Sequence, residues 1–246
     1  MRGNVFPSGP SYFIAEVKMP KSSTRSSVLN LGLGIALVGL MFAAAGTFVW
    51  PALWILLASY FLAMTGWVLW LRRRDPALLK ERMTGRSKPD AKGWDRTILR
   101  VYTAVFTVLL IVAPLDAVRF RWSHVPRAVQ GLALAGLLVA WCLIVWVFRE
   151  NAFLSEVVRI QSDRGHAVCT TGPYRAVRHP MYVAIIVTVI CIPLLLGSLY
   201  ALIPAVLIAA LFVLRTALED RTLRAELPGY ADYARTVRWR LVPGLW

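Results

Sequence analysis

Acidic residues are scarce in this chain. Thirteen Asp and Glu stand against 28 Lys and Arg, and charged residues of all kinds fill 17% of the 246 positions. Cysteine is scarcer still, at three. Cys142, Cys169 and Cys191 form no CxxC pair and no ligand-spaced set with histidine. A disulfide framework and a structural zinc site are therefore not expected, and no metal centre is assigned. No glycine-rich fingerprint follows a strand-like run, so a Rossmann-type dinucleotide site is not expected either. Polar surface is lacking too. The sequence is 58% hydrophobic with a mean hydropathy of +0.59, well outside the composition of soluble domains.

What fills the chain instead is long apolar runs. A bilayer-crossing helix needs about 20 apolar residues. Six runs approach or reach that length: 28–49, 52–71, 97–115, 128–148, 181–196 and 199–217. Trp50-Pro51 separates the first two and Gly197-Ser198 the last two, so both pairs read as tight helical hairpins. The fifth and sixth contain Pro193 and Pro204, which predict kinks of the kind membrane helices tolerate. The GxG at Gly32 and Gly34 falls inside a run and reads as helix packing. The first run is longer than a signal-peptide core and reads as a retained anchor, with Ala43-Ala44-Ala45 as a conceivable cleavage point.

The net charge of +15 follows a topology rather than a nucleic acid. With six spans and the N-terminus inside, 25 of the 28 Lys and Arg fall in inner segments and three in 116–127. That is the positive-inside pattern, and the basic inner face suits anionic lipid headgroups. The expected fold class is all-α integral membrane, with about six transmembrane helices and a cytoplasmic-face cofactor pocket built from the C-terminal third. Residues 1–27 read as a poorly ordered cytoplasmic tail, 28–148 as the N-terminal transmembrane helices, and 149–246 as the region carrying the chemistry around a transmembrane hairpin. Arg72-Arg73-Arg74 reads as a membrane-edge anchor, with Asp75-Pro76 starting a surface helix; Asp116, Arg119, Arg121 and Trp122 read as an interfacial loop.

Two inner segments flank the last hairpin. One is 161–182, containing GPYRAVRHPMY at 172–182; the other begins at Arg215 and Glu219. Pro180 suits a first helical turn. The free N–H groups and dipole of such a turn favour an anion, and Arg178 and His179 add donors there. A short hairpin makes Tyr182 and Arg215 neighbours in space. Arg215 and Glu219, at i and i+4, form either a helix-surface ion pair or part of a functional corner, made more acidic by Asp220. His179 is either a helix cap or a ligand group. Tyr174, Tyr182, Tyr230 and Tyr233 suit an aromatic belt, and Tyr230 and Tyr233 also suit packing of a C-terminal helix.

The order GPYRAVRHPMY, hairpin, RTALED, LPGYADY, RLVPGLW resembles the isoprenylcysteine carboxyl methyltransferase family and its bacterial membrane and phospholipid N-methyltransferase relatives. The resemblance covers about the last 90 residues; RHPxY alone would not carry it. It implies S-adenosyl-L-methionine bound at the cytoplasmic face of the bacterial inner membrane, with both termini cytoplasmic. By motif, the cofactor would meet Gln161, then His166, Ala167, Val168 and Cys169, then Tyr174, Arg178, His179, Pro180, Met181 and Tyr182, and finally Glu219. The family's substrate arginine falls on Arg215, which with Glu219 makes the implied catalytic pair. The implied partners are membrane lipids and a lipidic or prenylated acceptor.

The chemistry is consistent with those residue types. A cofactor carboxylate suits the helix start and His179, its ammonium or ribose hydroxyls suit Glu219, and a sulfonium suits an aromatic face. Arg215 would take a substrate carboxylate by a forked pair. An ionised acceptor needs alignment and exclusion of water more than a base. An amine acceptor, as in phospholipid N-methylation, would need Glu219 or Asp220 as base. Glu219-Asp220 departs from the Glu-Glu of many relatives. An NADPH-dependent membrane reductase shares RHPxY and late tyrosines, but LEDRTLRAELPGYADY lacks the extra charged motifs of sterol reductases. A membrane protein that keeps the fold without catalysis would be indifferent to loss of His179 or Glu219.

Overall fold

The computed structural model describes residues 21–74, 76, 79 and 91–246. The expected disordered tail lies outside them as far as residue 20, as does most of the surface helix expected from Asp75-Pro76. The described residues contain helices and no strand. The long helices are α1 (Lys21–Ala45), α2 (Pro51–Arg74), α3 (Gly93–Pro114), α4 (Arg127–Glu150), α5 (Pro180–Leu196) and α6 (Leu202–Glu226); α7 (Tyr230–Thr236) is short. A π-helical turn, Leu115–Phe120, extends α3.

The six apolar runs are thus six helices. Four segments are long and apolar enough to cross a membrane: Pro51–Arg74, Gly93–Phe120, Arg127–Glu150 and Leu202–Glu226. The other two of the six expected spans are not among these four. Of α1, Gly32–Ala45 is a shorter apolar stretch among the described side chains, and the 17 residues of α5 reach only about 25 Å at about 1.5 Å per residue. The interior is mainly apolar, and the outer surface of the bundle is apolar as well. Phe61, Leu62, Leu132, Val139 and Ile203 face outward, while Asp95, Asp116, Gln161, Arg215 and Asp220 are buried.

Proline and glycine lie at or near the helix ends of the last hairpin. Pro180 opens α5, where its missing N–H is no loss. Pro193 lies in the last turn, and its carbonyl accepts the Ser198 N–H at 2.9 Å. Gly197 ends α5 in the left-handed region at φ 88°, which a side chain disfavours. Pro204 falls in the first turn of α6. Pro193 and Pro204 thus both lie within a turn of a helix end. A Cβ added at Gly32 or Gly34 would meet nothing within 4 Å, so the GxG serves no close helix packing among the described residues.

The turns between hairpins gather at one end of the bundle. Asp116, expected in an interfacial loop, is its hub. Its Oδ2 accepts hydrogen bonds from Ser198 Oγ (2.6 Å), Ser123 Oγ (2.7 Å) and the Tyr200 N–H (3.1 Å). The hairpin therefore returns both α5 and α6 to the opposite end, where the polar segments lie.

Candidate functional site

At that opposite end, a cavity of about 280 Å³ opens between the 151–179 segment, the start of α5, the last turns of α6, and α7. Tyr102 and Leu99 of α3 complete its wall. Of the residues expected from the sequence, Gln161, His166, Ala167, Val168, Cys169, Tyr174, Arg178, His179, Met181, Tyr182, Arg215 and Glu219 all line it. Pro180 is buried just behind, as the first residue of α5. The hairpin brings Arg215 Cζ to 5.2 Å from the Tyr182 ring centre, as expected.

The 151–179 segment has little regular structure and is shaped by side chains. Asn151 donates to the Tyr174 hydroxyl (2.9 Å) and accepts the Phe153 N–H (2.9 Å). The buried Gln161 amide donates to the Phe153 carbonyl and accepts from Arg164 Nη1 at 2.7 Å. Both ends of Gln161 are thus engaged in shaping the loop that walls the cavity. The Gln161 N–H donates to His166 Nδ1 at 3.3 Å, which requires that nitrogen to be unprotonated. Burial first, and then the Arg159 and Arg164 guanidiniums, hold the His166 imidazole below its ordinary pKa. Burial pushes the Cys169 thiol up, so it is a poor nucleophile and packs instead.

Arg178 is not available to an anion. Its Nε and Nη2 meet Asp220 at 2.7 and 3.3 Å, and its Nη1 donates to the Val237 and Arg238 carbonyls. The helix start is also narrower than expected. The His179 N–H goes to the Arg240 carbonyl at 3.0 Å, and the Tyr182 and Val183 N–H groups turn back to the His179 carbonyl. Pro180 has no N–H, so the turn offers an anion only Met181. His179 Nε2 faces the Tyr230 hydroxyl (3.3 Å) and Asp220 (3.6 Å).

The acidic pair at 219–220 divides. Asp220 turns inward to Arg178, Arg224, Arg240 and Tyr230, so it does not add acidity to the cavity. Glu219 faces the cavity and accepts the Tyr182 hydroxyl. Arg215 and Glu219 do not pair with each other. Arg215 instead forks onto Asp95, with Nε to Oδ1 at 2.7 Å and Nη2 to Oδ2 at 3.2 Å. The fork expected to take a substrate carboxylate is therefore occupied within the protein.

The late tyrosines pack α7 down, one of the two roles considered for them, and are buried rather than set outward in a belt. The Tyr233 hydroxyl donates to the Tyr174 carbonyl at 2.7 Å, Tyr230 donates to Asp220 at 3.0 Å, and both line the cavity. Burial, with Asp220 next, pushes the Tyr230 hydroxyl well above the ordinary phenol range, so it acts as a donor. Sequence reading missed Asp95, Asn151, Phe153 and Glu156. Asp95 had a signal, as an acid in the first turn of an apolar helix; the others are loop residues without local pattern.

With that geometry in hand, residues 132–225 match the family model of the Isoprenylcysteine carboxyl methyltransferase (ICMT) family. No curated protein matches the chain. The matched segment holds the 151–182 wall, Arg215 and Glu219, and leaves out Asp95 and α7.

Proposed function

From the match of residues 132–225 to the isoprenylcysteine carboxyl methyltransferase family model, we propose that this helical membrane protein is a methyltransferase that uses S-adenosylmethionine to methylate a carboxylate on a lipidic acceptor. We place that chemistry at the cytoplasmic face of the inner membrane. The observation that carries the reading is the convergence of Gln161, His166–Cys169, Tyr174, Met181, Tyr182, Arg215 and Glu219 on one cavity.

The cavity's donor set fits the cofactor. Glu219 is a carboxylate for an ammonium or ribose hydroxyls. The Met181 N–H serves a carboxylate. Tyr174, Tyr182, Tyr230 and Tyr233 supply aromatic walls that attract a sulfonium. When bound, S-adenosylmethionine supplies an electrophilic methyl group. The residues of this chain hold and align. Tyr182 fixes Glu219 by its hydroxyl. Neutral His166 keeps the loop closed over the site. Arg215 supplies positive charge for the acceptor carboxylate. Such an acceptor is already ionised, so no proton has to move, and alignment in a water-poor site supplies the rate.

Calorimetric titration of purified protein in detergent tests this reading. S-adenosylhomocysteine is expected to bind saturably, NADPH not to bind, and Glu219→Ala to weaken the former by at least about tenfold, about 1.4 kcal/mol. Binding of NADPH alone would overturn the methyltransferase reading in favour of a reductase.

A further inference from the structure

Asp95 lies outside the family-matched segment, yet it holds the site's only cavity-lining arginine from α6. Its side chain is fully buried. It comes from the first turn of α3, 120 positions before Arg215 in sequence. Asp95 takes the Nε and Nη2 edge of the guanidinium at 2.7 and 3.2 Å, and Nη2 also donates to the Glu156 carbonyl at 2.7 Å. The one Nε hydrogen and both Nη2 hydrogens are thereby used. Nη1 keeps two. Arg215 is held between the Tyr182 and Phe212 rings, with Cζ 5.2 and 5.8 Å from their centres. Asp95 Oδ2 also accepts the Val158 N–H at 2.8 Å, tying the same carboxylate to the cavity wall.

A buried ion pair is weak as a source of stability, so its placement calls for another role. A carboxylate held by an arginine fork has both oxygens tied down. That is good binding and poor nucleophilicity, because ground-state binding alone does not speed a reaction. We propose that Asp95 is a positioning residue: by occupying the Arg215 fork it leaves Nη1 alone for the acceptor, so one carboxylate oxygen is held and the other stays free to attack. The free oxygen forms the new O–C bond with a lone pair as the methyl–sulfur bond breaks. An ester and a neutral thioether result, and no proton is transferred. This inference rests on the carboxylate reading proposed above.

The test compares wild type, Asp95→Asn, Arg215→Lys, Arg215→Gln and the Asp95→Asn/Arg215→Gln double variant. The probes are N-acetyl-S-farnesylcysteine and a linear fatty acid, titrated calorimetrically without cofactor and then assayed for methylation. Asp95→Asn opens the fork. It is expected to bind the carboxylates several-fold more tightly, lower kcat at least about tenfold, and leave the S-adenosylhomocysteine Kd within about twofold. On Arg215→Gln it is expected to add nothing further, as for residues acting through one another. Unchanged carboxylate affinity and kcat, or parallel loss of S-adenosylhomocysteine binding, overturns the inference. If Asp95→Asn does not fold, Arg215→Lys decides. Its one ammonium is held at Asp95 and has no second nitrogen to reach the acceptor, so carboxylate affinity should fall sharply with S-adenosylhomocysteine binding kept; retained carboxylate affinity overturns the inference. A wild type that binds S-adenosylhomocysteine but methylates phosphatidylethanolamine and neither carboxylate also overturns it, while leaving methyl transfer standing. A wild type that binds no S-adenosylhomocysteine removes the proposed function itself.

Discussion

Glu219 and Asp220 are adjacent acids with opposite duties. Glu219 faces the cavity, where Tyr182 is its hydrogen-bond partner. Asp220 is 1% exposed and neutralises Arg178, Arg224 and Arg240 while accepting from Tyr230. Removing it leaves the buried Arg178 without its counter-charge, a change that costs about 3–5 kcal/mol in buried pairs. Asp220→Ala is therefore expected to lower the denaturant midpoint in detergent sharply, while Glu219→Gln barely moves it. Equal midpoints for the two variants would contradict this division. The departure from Glu-Glu follows from it. The shorter acid suits a position that must sit close against three guanidiniums rather than reach a ligand.

His166 carries a pH dependence at the same scale. Its folded pKa lies below its ordinary value, about 6.5. The neutral ring is favoured in the fold, so its contribution is complete above about pH 6.5 and is lost as pH falls through the lowered folded value. Protonation also removes the Nδ1 acceptor for the Gln161 N–H. Unfolding temperature measured from pH 7.5 down to 5 should fall more steeply for wild type than for His166→Asn, whose oxygen can accept the same hydrogen bond without titrating. Parallel profiles would remove His166 as the cause.

Among the elements, the 151–179 segment is the one that a sequence shows least. The helices were legible because unbroken apolar runs meet Pro and Gly at their ends, and the α5–α6 return follows from a two-residue turn. The segment's path depends on contacts from 8 to 23 positions away, such as Gln161 with Phe153 and Asn151 with Tyr174, which leave no period. Asp95 was missed for the same reason at greater range, since its partner is on another helix. Gly172 shows how tightly this segment is seated on α4. It has φ 55°, and an added Cβ would come within 2.4 Å of Glu150 Cγ. Gly172→Ala is expected to cost about 1–2 kcal/mol from the left-handed backbone plus a clash. Glu150→Ala should relieve only the clash, read as a partial recovery of the unfolding midpoint in the double variant. A neutral Gly172→Ala would mean the segment is not held as described.

On the scale of the whole molecule, chain polarity and charge agree. The Asp116 hub gathers the turns at 115–126 and 197–201 at one end, and the cavity, α7 and the C-terminal segment occupy the other. Among the described residues, the first end holds Arg119, Arg121 and Arg127, and most of the other Lys and Arg belong to the second. By the positive-inside rule, that asymmetry supports the proposed inward-facing cavity end. α3 alone, at 22 residues, spans about 33 Å at about 1.5 Å per residue, enough for a hydrocarbon core of about 30 Å. Single cysteines at Trp122 and Arg235, both exposed, test this in a background without Cys142, Cys169 and Cys191. A membrane-impermeant maleimide should label Trp122→Cys in right-side-out vesicles and Arg235→Cys only in inverted ones. Labelling of both from one side would place the two ends of the bundle on the same face. It would also break the link between the α5–α6 return and an inward-facing cavity.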